Sequence, residues 1–274
     1  MIQDIYPMEL HNEFYQKKIS DNSFVIYSDG QNILVNNFNG VIRFPQYREL
    51  GDKNKKYTYL FRIDDREFFY SDVIDEVPDG FSYENINTIR TASPKDEAFA
   101  AMTAHHLVNW YNANKFCGKC GHSLCHDAKE RMMYCPACHN MIYPKISPAI
   151  IVAITDGDRI LMTKYANRAY KKYSLVAGFT EIGETLEETV KREVMEEVGL
   201  KVKNIKYYKN QPWGLTGGLL VGFFAELDGS PEIKLDTNEL AEGKWFRRDE
   251  LWDIDYRVSI TNEMMQYFKM GGKL

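Results

Sequence analysis

No stretch of this 274-residue sequence stays apolar for the roughly 20 positions that a membrane-spanning helix needs; PAIIVAI and LLVGFFA are of strand length. The opening residues, MIQDIYPMEL, lack a basic segment followed by a long apolar one, so no secretory signal is read and a cytoplasmic location is expected. Positive charge is not in excess. Lys and Arg number 34 against 39 Asp and Glu, a net −5, which argues against a broad surface for DNA or another polyanion but leaves room for a local basic patch. Cysteine is scarce, and all five lie between Cys117 and Cys138, which excludes a disulfide framework spread through a secreted domain. Internal repeats and low-complexity tracts are absent. What remains, 44% hydrophobic and 27% charged residues, is the composition of a globular protein long enough for two compact units.

Short alternating runs (SFVIYS, NILVN, YTYLFRI, EFFYSDV) separated by turn residues such as Asp29-Gly30 and Asn39-Gly40 predict a β-rich segment up to about residue 92. Ser93-Pro94 reads as a helix start, with Ser93 as N-cap and Pro94 at the first helical position, and the helix is expected to run to about Tyr111. His105 and His106 on it read as core or surface histidines. The expected organisation is a β-rich domain ending in a helix over 1–111, a cysteine-bearing ribbon over 112–146 and a third domain over 147–274.

Cys117 and Cys120 form one C-x-x-C knuckle, Cys135 and Cys138 a second, with fourteen residues between them. Two such pairs can place four thiolates around one Zn²⁺ at about 2.3 Å, and four thiolates leave no open position, so the ion is structural. The spacer is one residue short of the usual range, and Cys125 is left as a free thiol. Lys115, Lys119, Lys129, Arg131 and Lys145 make the ribbon mildly basic. Either a clip between domains or a nucleic-acid contact fits that.

Residues 178–200, GFTEIGETLEETVKREVMEEVGL, hold seven glutamates and end in a helix-stopping glycine followed by leucine. Thr185 with Glu188 fits a capping box, and Gly199 suits the left-handed C-terminal position, so a helix is expected over 185–198. At 100° per residue, Leu186, Val190 and Val194 define a buried stripe, while Glu193 and Glu197 fall within about 20° of Leu186 and Glu196 lies close by. Glu187, Glu188 and Lys191 occupy the solvated side. Carboxylates at the edge of a buried stripe are costly unless paired or bound to cations. Three at i, i+3 and i+4 suit a hard cation, Mg²⁺ or Mn²⁺. Arg192 is set to hold a further carboxylate, Glu184, in position.

The stretch resembles the Nudix box, G-x5-E-x7-R-E-U-x-E-E-x-G-U, at every fixed position: Gly178, Glu184, Arg192, Glu193, Glu196, Glu197 and Gly199, with aliphatic Val194 and Leu200. The order of β-rich segment, cysteine ribbon and box is similar to that of the zinc-containing NADH pyrophosphatases. The resemblance implies an α+β fold whose Nudix domain is an α/β/α sandwich around a mixed sheet. It also implies metal-dependent hydrolysis of NAD(H) to AMP and nicotinamide mononucleotide, by a homodimer, through more than one Mg²⁺ or Mn²⁺. Glu193, Glu196 and Glu197 would be metal ligands, joined by Glu239 and the Ala177 carbonyl, with Arg192 and Glu184 supporting them.

Tyr143 and Phe179 match aromatic positions that hold the nucleotide; Glu130 and Arg90 match substrate contacts that would reach the site across a subunit boundary. The family's downstream array S-Q-P-W-P-F-P-x-S is half kept: Gln211, Pro212 and Trp213 remain, but Gly214, Leu215, Thr216 and Gly218 replace Pro-Phe-Pro and Ser, reading as a stiff loop turned flexible. Two other readings stay open: a diphosphatase for ADP-ribose or a dinucleoside polyphosphate, and a non-catalytic nucleotide or RNA binder. NAD-capped RNA is a related substrate, because its scissile bond is the same.

Overall fold

A computed structural model describes residues 1–51, 55–72, 74, 76–167 and 171–272. The chain divides into two compact units, one of Ile2–Lys145 with Gly214–Gly217, the other of Met1, Ile146–Trp213 and Gly218–Leu274. None of the described helices is long and apolar enough to cross a membrane.

The first unit is the β-rich one. One sheet runs in the order Leu10–His11, Thr58–Ile63, Arg66–Tyr70, Phe24–Ile26, and another in the order Val41–Arg43, Asn32–Phe38, Ser82–Asn85. Asn39 and Gly40, both at positive φ, form the two-residue turn of the hairpin that closes the second sheet. A 19-residue helix, Lys95–Ala113, packs Phe99, Val108 and Trp110 into the same core as Phe44, Phe61 and Phe68. Its start differs from the sequence expectation. Pro94 is the N-cap, extended at ψ 161° after a cis Ser93–Pro94 bond, and Ser93 instead pairs its backbone with Gly40 and Ile42. Three short strands, Cys125–His126, Met133–Tyr134 and Met141–Ile142, make the ribbon, whose Cys117, Leu124, Met133 and Cys135 join that core.

The second unit is a six-stranded mixed sheet between helices. Its central strand, Ser147–Asp156, runs parallel to Gly218–Leu227 and antiparallel to Val176–Phe179. Side chains of a strand alternate between faces, and this one uses both. Ile150, Val152 and Ile154 share a cluster with Val190, Val194 and Val198 of the helix Leu186–Val198. Ile151 and Ala153 share another with Ile260, Met264 and Phe268 of the helix Ile260–Lys269. The α+β class with a helix-covered mixed sheet is thus the fold observed.

Candidate active site and metal centre

The helix Leu186–Val198 is specified at both ends. The Thr185 hydroxyl accepts from Glu188 N at 3.2 Å and the Glu188 carboxylate accepts from Thr185 N at 2.8 Å, closing the capping box; Gly199 stops the helix at φ 67°. Thr189, Val190, Val194, Glu197 and Val198 are the buried residues, so one glutamate lies within the apolar stripe at 3% exposure. Glu187, Glu188 and Lys191 face solvent.

Arg192 organises the other acids. Its Nε donates to Glu184 Oε1 at 2.6 Å and its Nη2 to Glu184 Oε2 at 3.0 Å; Nη1 reaches Glu193 at 2.7 Å and Glu196 at 3.0 Å, and Nη2 also donates to the Phe179 carbonyl at 2.9 Å. Glu184 further accepts from Glu181 N and the Thr189 hydroxyl. The Arg192 hydrogen bonds above all, with the Glu181 amide, hold the Glu184 carboxyl down at about 2, so this anchor is ionised at any physiological pH.

Glu193 is shifted the opposite way. Burial raises its pKa, Arg192 opposes that, and the charges of Glu196 and Glu239 add to the rise. Glu239, exposed in the turn before the strand Leu240–Arg247, is therefore within electrostatic reach of the helix acids. Its carbonyl accepts from Ala166 N at 2.8 Å, which fixes the turn.

Gly178 explains how Glu193 fits. A Cβ on this residue would overlap the Glu193 carboxylate, so only glycine lets that carboxylate lie against the backbone of the strand Val176–Phe179. The preceding residue, Ala177, pairs with Ile151 on the central strand. The donor chemistry here (carboxylates on one helix, a further acid in a turn, a backbone carbonyl) is that of a hard divalent ion. Of these acids, Glu193 and Glu196, with Glu184, gather around Arg192; among the described residues the four ribbon cysteines are the one group of three or more potential ligands within 4.8 Å of one another.

Those cysteines are already arranged for a metal. Sγ–Sγ separations are 3.6 Å for Cys117–Cys138, 3.5 Å for Cys120–Cys135 and 3.3 Å for Cys120–Cys138. Four sulfurs at about 2.3 Å from one tetrahedral ion stand about 3.8 Å apart, so little movement is needed. The knuckles repeat one backbone plan. Cys117 N donates to the His122 carbonyl and Gly121 N to that of Cys117, while Cys135 N donates to Asn140 and His139 N to Cys135, with Gly121 and His139 both left-handed. Cys125 is exposed and outside the group.

The expected substrate contacts fall in different surroundings. Phe179 in the second unit and Tyr143 in the first are both about half exposed, and the Tyr143 hydroxyl donates to Glu130 at 2.7 Å. Arg90 ends the short helix Ile86–Ile89. Pro212 is exposed and Trp213 half-buried. Gln211 departs from the expected substrate role: it is fully buried, its amide donating to the Val258 carbonyl and accepting from Ile260 N, both at 2.8 Å. It holds the entry to the helix Ile260–Lys269.

The expectation of a flexible loop over Gly214 to Gly218 is also corrected: Gly218 opens the strand Gly218–Leu227. A Cβ on Gly214 would overlap the Met102 carbonyl oxygen, one on Gly217 would meet His106 Nε2 at 3.1 Å, and Leu215 packs on the first unit's core. Gly214 is there for close approach, and Gly217 for its left-handed backbone at φ 68°. Sequence reading missed this, and it missed the part Gly178 plays, because both depend on residues far along the chain.

Residues 145–268 match the family model for the NUDIX domain. This segment is a NUDIX domain. The chain is 46% identical over 145 residues to a protein from Salmonella typhi named NAD-capped RNA hydrolase NudC, covering 53% of this chain and 56% of that protein. It is 45% identical over the same length to the protein of that name from Escherichia coli (strain SMS-3-5 / SECEC). The chain therefore spans little more than half the length of the curated relatives it matches. Among solved structures, a NUDIX hydrolase from Nitrosomonas europaea aligns with 57% of this chain and 90% of that one, at 23% identity and a TM-score of 0.49.

Proposed function

We propose that the NUDIX domain hydrolyses the diphosphate of NAD(H), giving AMP and nicotinamide mononucleotide. The observation that carries this is the arrangement on the glutamate helix: Glu197 inside the apolar stripe, and Glu193 set against Gly178 with its pKa raised. That burial costs stability and makes physical sense if a cation is taken there. Glu193, Glu196 and Glu197, with Glu239 and the Ala177 carbonyl, would hold Mg²⁺ or Mn²⁺. Bound ions of this kind neutralise phosphate charge, lower the pKa of a water nucleophile and stabilise the leaving oxygen. The chain's own part is to hold the acids in position. Arg192, fixed by Glu184 and the Phe179 carbonyl, sets where Glu193 and Glu196 stand. Zn²⁺ on Cys117, Cys120, Cys135 and Cys138 would be structural, one ion per chain.

The curated relatives' name supports NAD-capped RNA as a second substrate, since the diphosphate to be cut is the same. Exposed Phe179 is available to stack on a base, as is Tyr143, whose hydroxyl is paired with Glu130. Glu130 and Arg90 would serve a homodimer in which one subunit completes the other's site. A second reading, ADP-ribose or a dinucleoside polyphosphate, rests on the array after Trp213: Gly214 and Leu215 are spent on packing rather than on the nicotinamide half. Product analysis with NADH, NAD⁺, ADP-ribose, diadenosine polyphosphate and NAD-capped RNA separates the two. AMP with nicotinamide mononucleotide at the highest kcat/KM supports the first, and rapid cleavage of ADP-ribose with NADH untouched replaces it by the second.

A further inference from the structure

Two cavities in the first unit lie apart from the ribbon cysteines and from the residues expected to touch substrate, and they share a wall. One, of about 240 Å³, lies between the C-terminal end of the helix Lys95–Ala113, the sheet around Tyr70 and the ribbon. The other, of about 350 Å³, lies along residues 14–18 and 56–59. Lys56, Thr58 and His126 line both.

The shared wall carries one aromatic ring, that of His126. The His126 ring stacks on Tyr111 with centroids 5.0 Å apart and planes 17° apart. Burial, with Lys56 nearby, pushes its pKa down to about 4, so the ring is a neutral aromatic at pH 7. Tyr15, half exposed, gives the second cavity a ring of its own. In the first, the Tyr70 hydroxyl donates to Asn112 Oδ1 at 2.9 Å, which leaves the Asn112 amide hydrogens turned to no partner among the described residues.

The rim is cationic, in a chain whose net charge is −5. Lys17 and Lys18 stand at the second cavity, Lys115 at the first and Lys56 at both. Lys17 is paired with Glu67, and Lys115 loosely with Asp72 at 3.9 Å. Lys18 and Lys56 make no hydrogen bond or ion pair among the described residues. Asp127, the other acid on the rim, is tied down by the amides of Lys129 and Glu130. Arg131, although one of the basic ribbon residues, adds nothing to this charge: it is turned inward to Asn12 and the Leu60 carbonyl.

We propose that this trough binds nucleotide units, a base against His126 or Tyr15 and phosphate on Lys18 and Lys56. Flat π-faces together with unpaired cations are what a single strand needs, since every base can stack and every phosphate carries charge. The same chemistry is offered by a free mononucleotide, and the test distinguishes the sources. The proposal does not depend on the NAD(H) reading.

Binding of a fluorescent 10-nucleotide single-stranded RNA with a 5′-monophosphate is followed by anisotropy on the full chain, without Mg²⁺ or Mn²⁺. AMP serves as the competitor. The wild type should bind the strand, with log K falling as log salt rises. In Lys18→Glu/Lys56→Glu, affinity should fall at least about tenfold and the salt slope become shallower by about 1.4, near 0.7 for each phosphate no longer neutralised. NADH hydrolysis by this variant should stay at the wild-type rate, which separates the trough from the NUDIX site. If AMP binds through these lysines and the strand does not, the trough is a mononucleotide site. Equal affinity and equal slope in the two proteins, or no binding of either probe, overturns the proposal.

Discussion

Glu193 and Gly178 show how one residue type depends on another. The carboxylate occupies the space a Cβ would fill, so Gly178→Ala forces it away from the strand while leaving the apolar stripe untouched. Misplacement by about 1 Å can cost about a hundredfold in rate, and a loss of that order in kcat with Tm nearly unchanged is expected. Kinetics and a melting curve on the same sample check it. Glu97 offers a test outside the site. It and Asp96 share Arg66, and burial raises Glu97 from 4.5 to about 7, with Arg66 opposing and Asp96 adding to the rise. A raised folded-state pKa means stability that is fully present below about 4.5 and lost as pH rises to about 7, on the order of 3 kcal/mol in all. Glu97→Gln removes that titration. Melting temperatures from pH 5 to 8 should show wild type losing ground to the variant as pH rises, and a constant difference contradicts the account.

Among the elements, the glutamate helix was the most legible in the sequence. Capping box, apolar spacing and terminal glycine all lie within fifteen residues, so local rules suffice for its ends and its buried face. The cysteine knuckles were legible for the same reason. Gln211 was not, because its partners, Val258 and Ile260, are 47 and 49 residues away. The segment Gly214–Gly217 was misread as loose because the atom that demands glycine is the carbonyl of Met102, over a hundred positions earlier. Gly214→Ala should therefore cost about 1–3 kcal/mol and lower Tm by several degrees, and Gly214→Pro at least as much. An unchanged Tm would return the segment to the flexible reading. The ribbon makes a different demand. Closed thiolate sites contribute folding free energy directly, and Cys135 is fully buried in the first unit's core. Cys135→Ser should lower Tm before it alters kcat. Elemental analysis should find one zinc per wild-type chain, and a zinc-free, equally stable wild type contradicts this.

For the whole molecule, the fold class could be read because strand alternation and helix periodicity are local signals; which strand neighbours which could not. The parallel pairing of Ser147–Asp156 with Gly218–Leu227 joins segments some 70 residues apart and builds the floor on which the helix stands. On that floor lie the acids around Arg192, with the buried Glu197 beside them and the solvated Glu188 on the far side. The central claim is that the helix's inner acids serve diphosphate hydrolysis and its outer ones do not. The most direct test is product analysis of NADH incubated with Mg²⁺ and wild type, Glu197→Gln or Glu188→Gln. AMP and reduced nicotinamide mononucleotide should form with wild type and Glu188→Gln alike, and at least about a hundredfold more slowly with Glu197→Gln, folded as judged by Tm. Equal losses in both variants, or release of free nicotinamide in place of AMP, would contradict it.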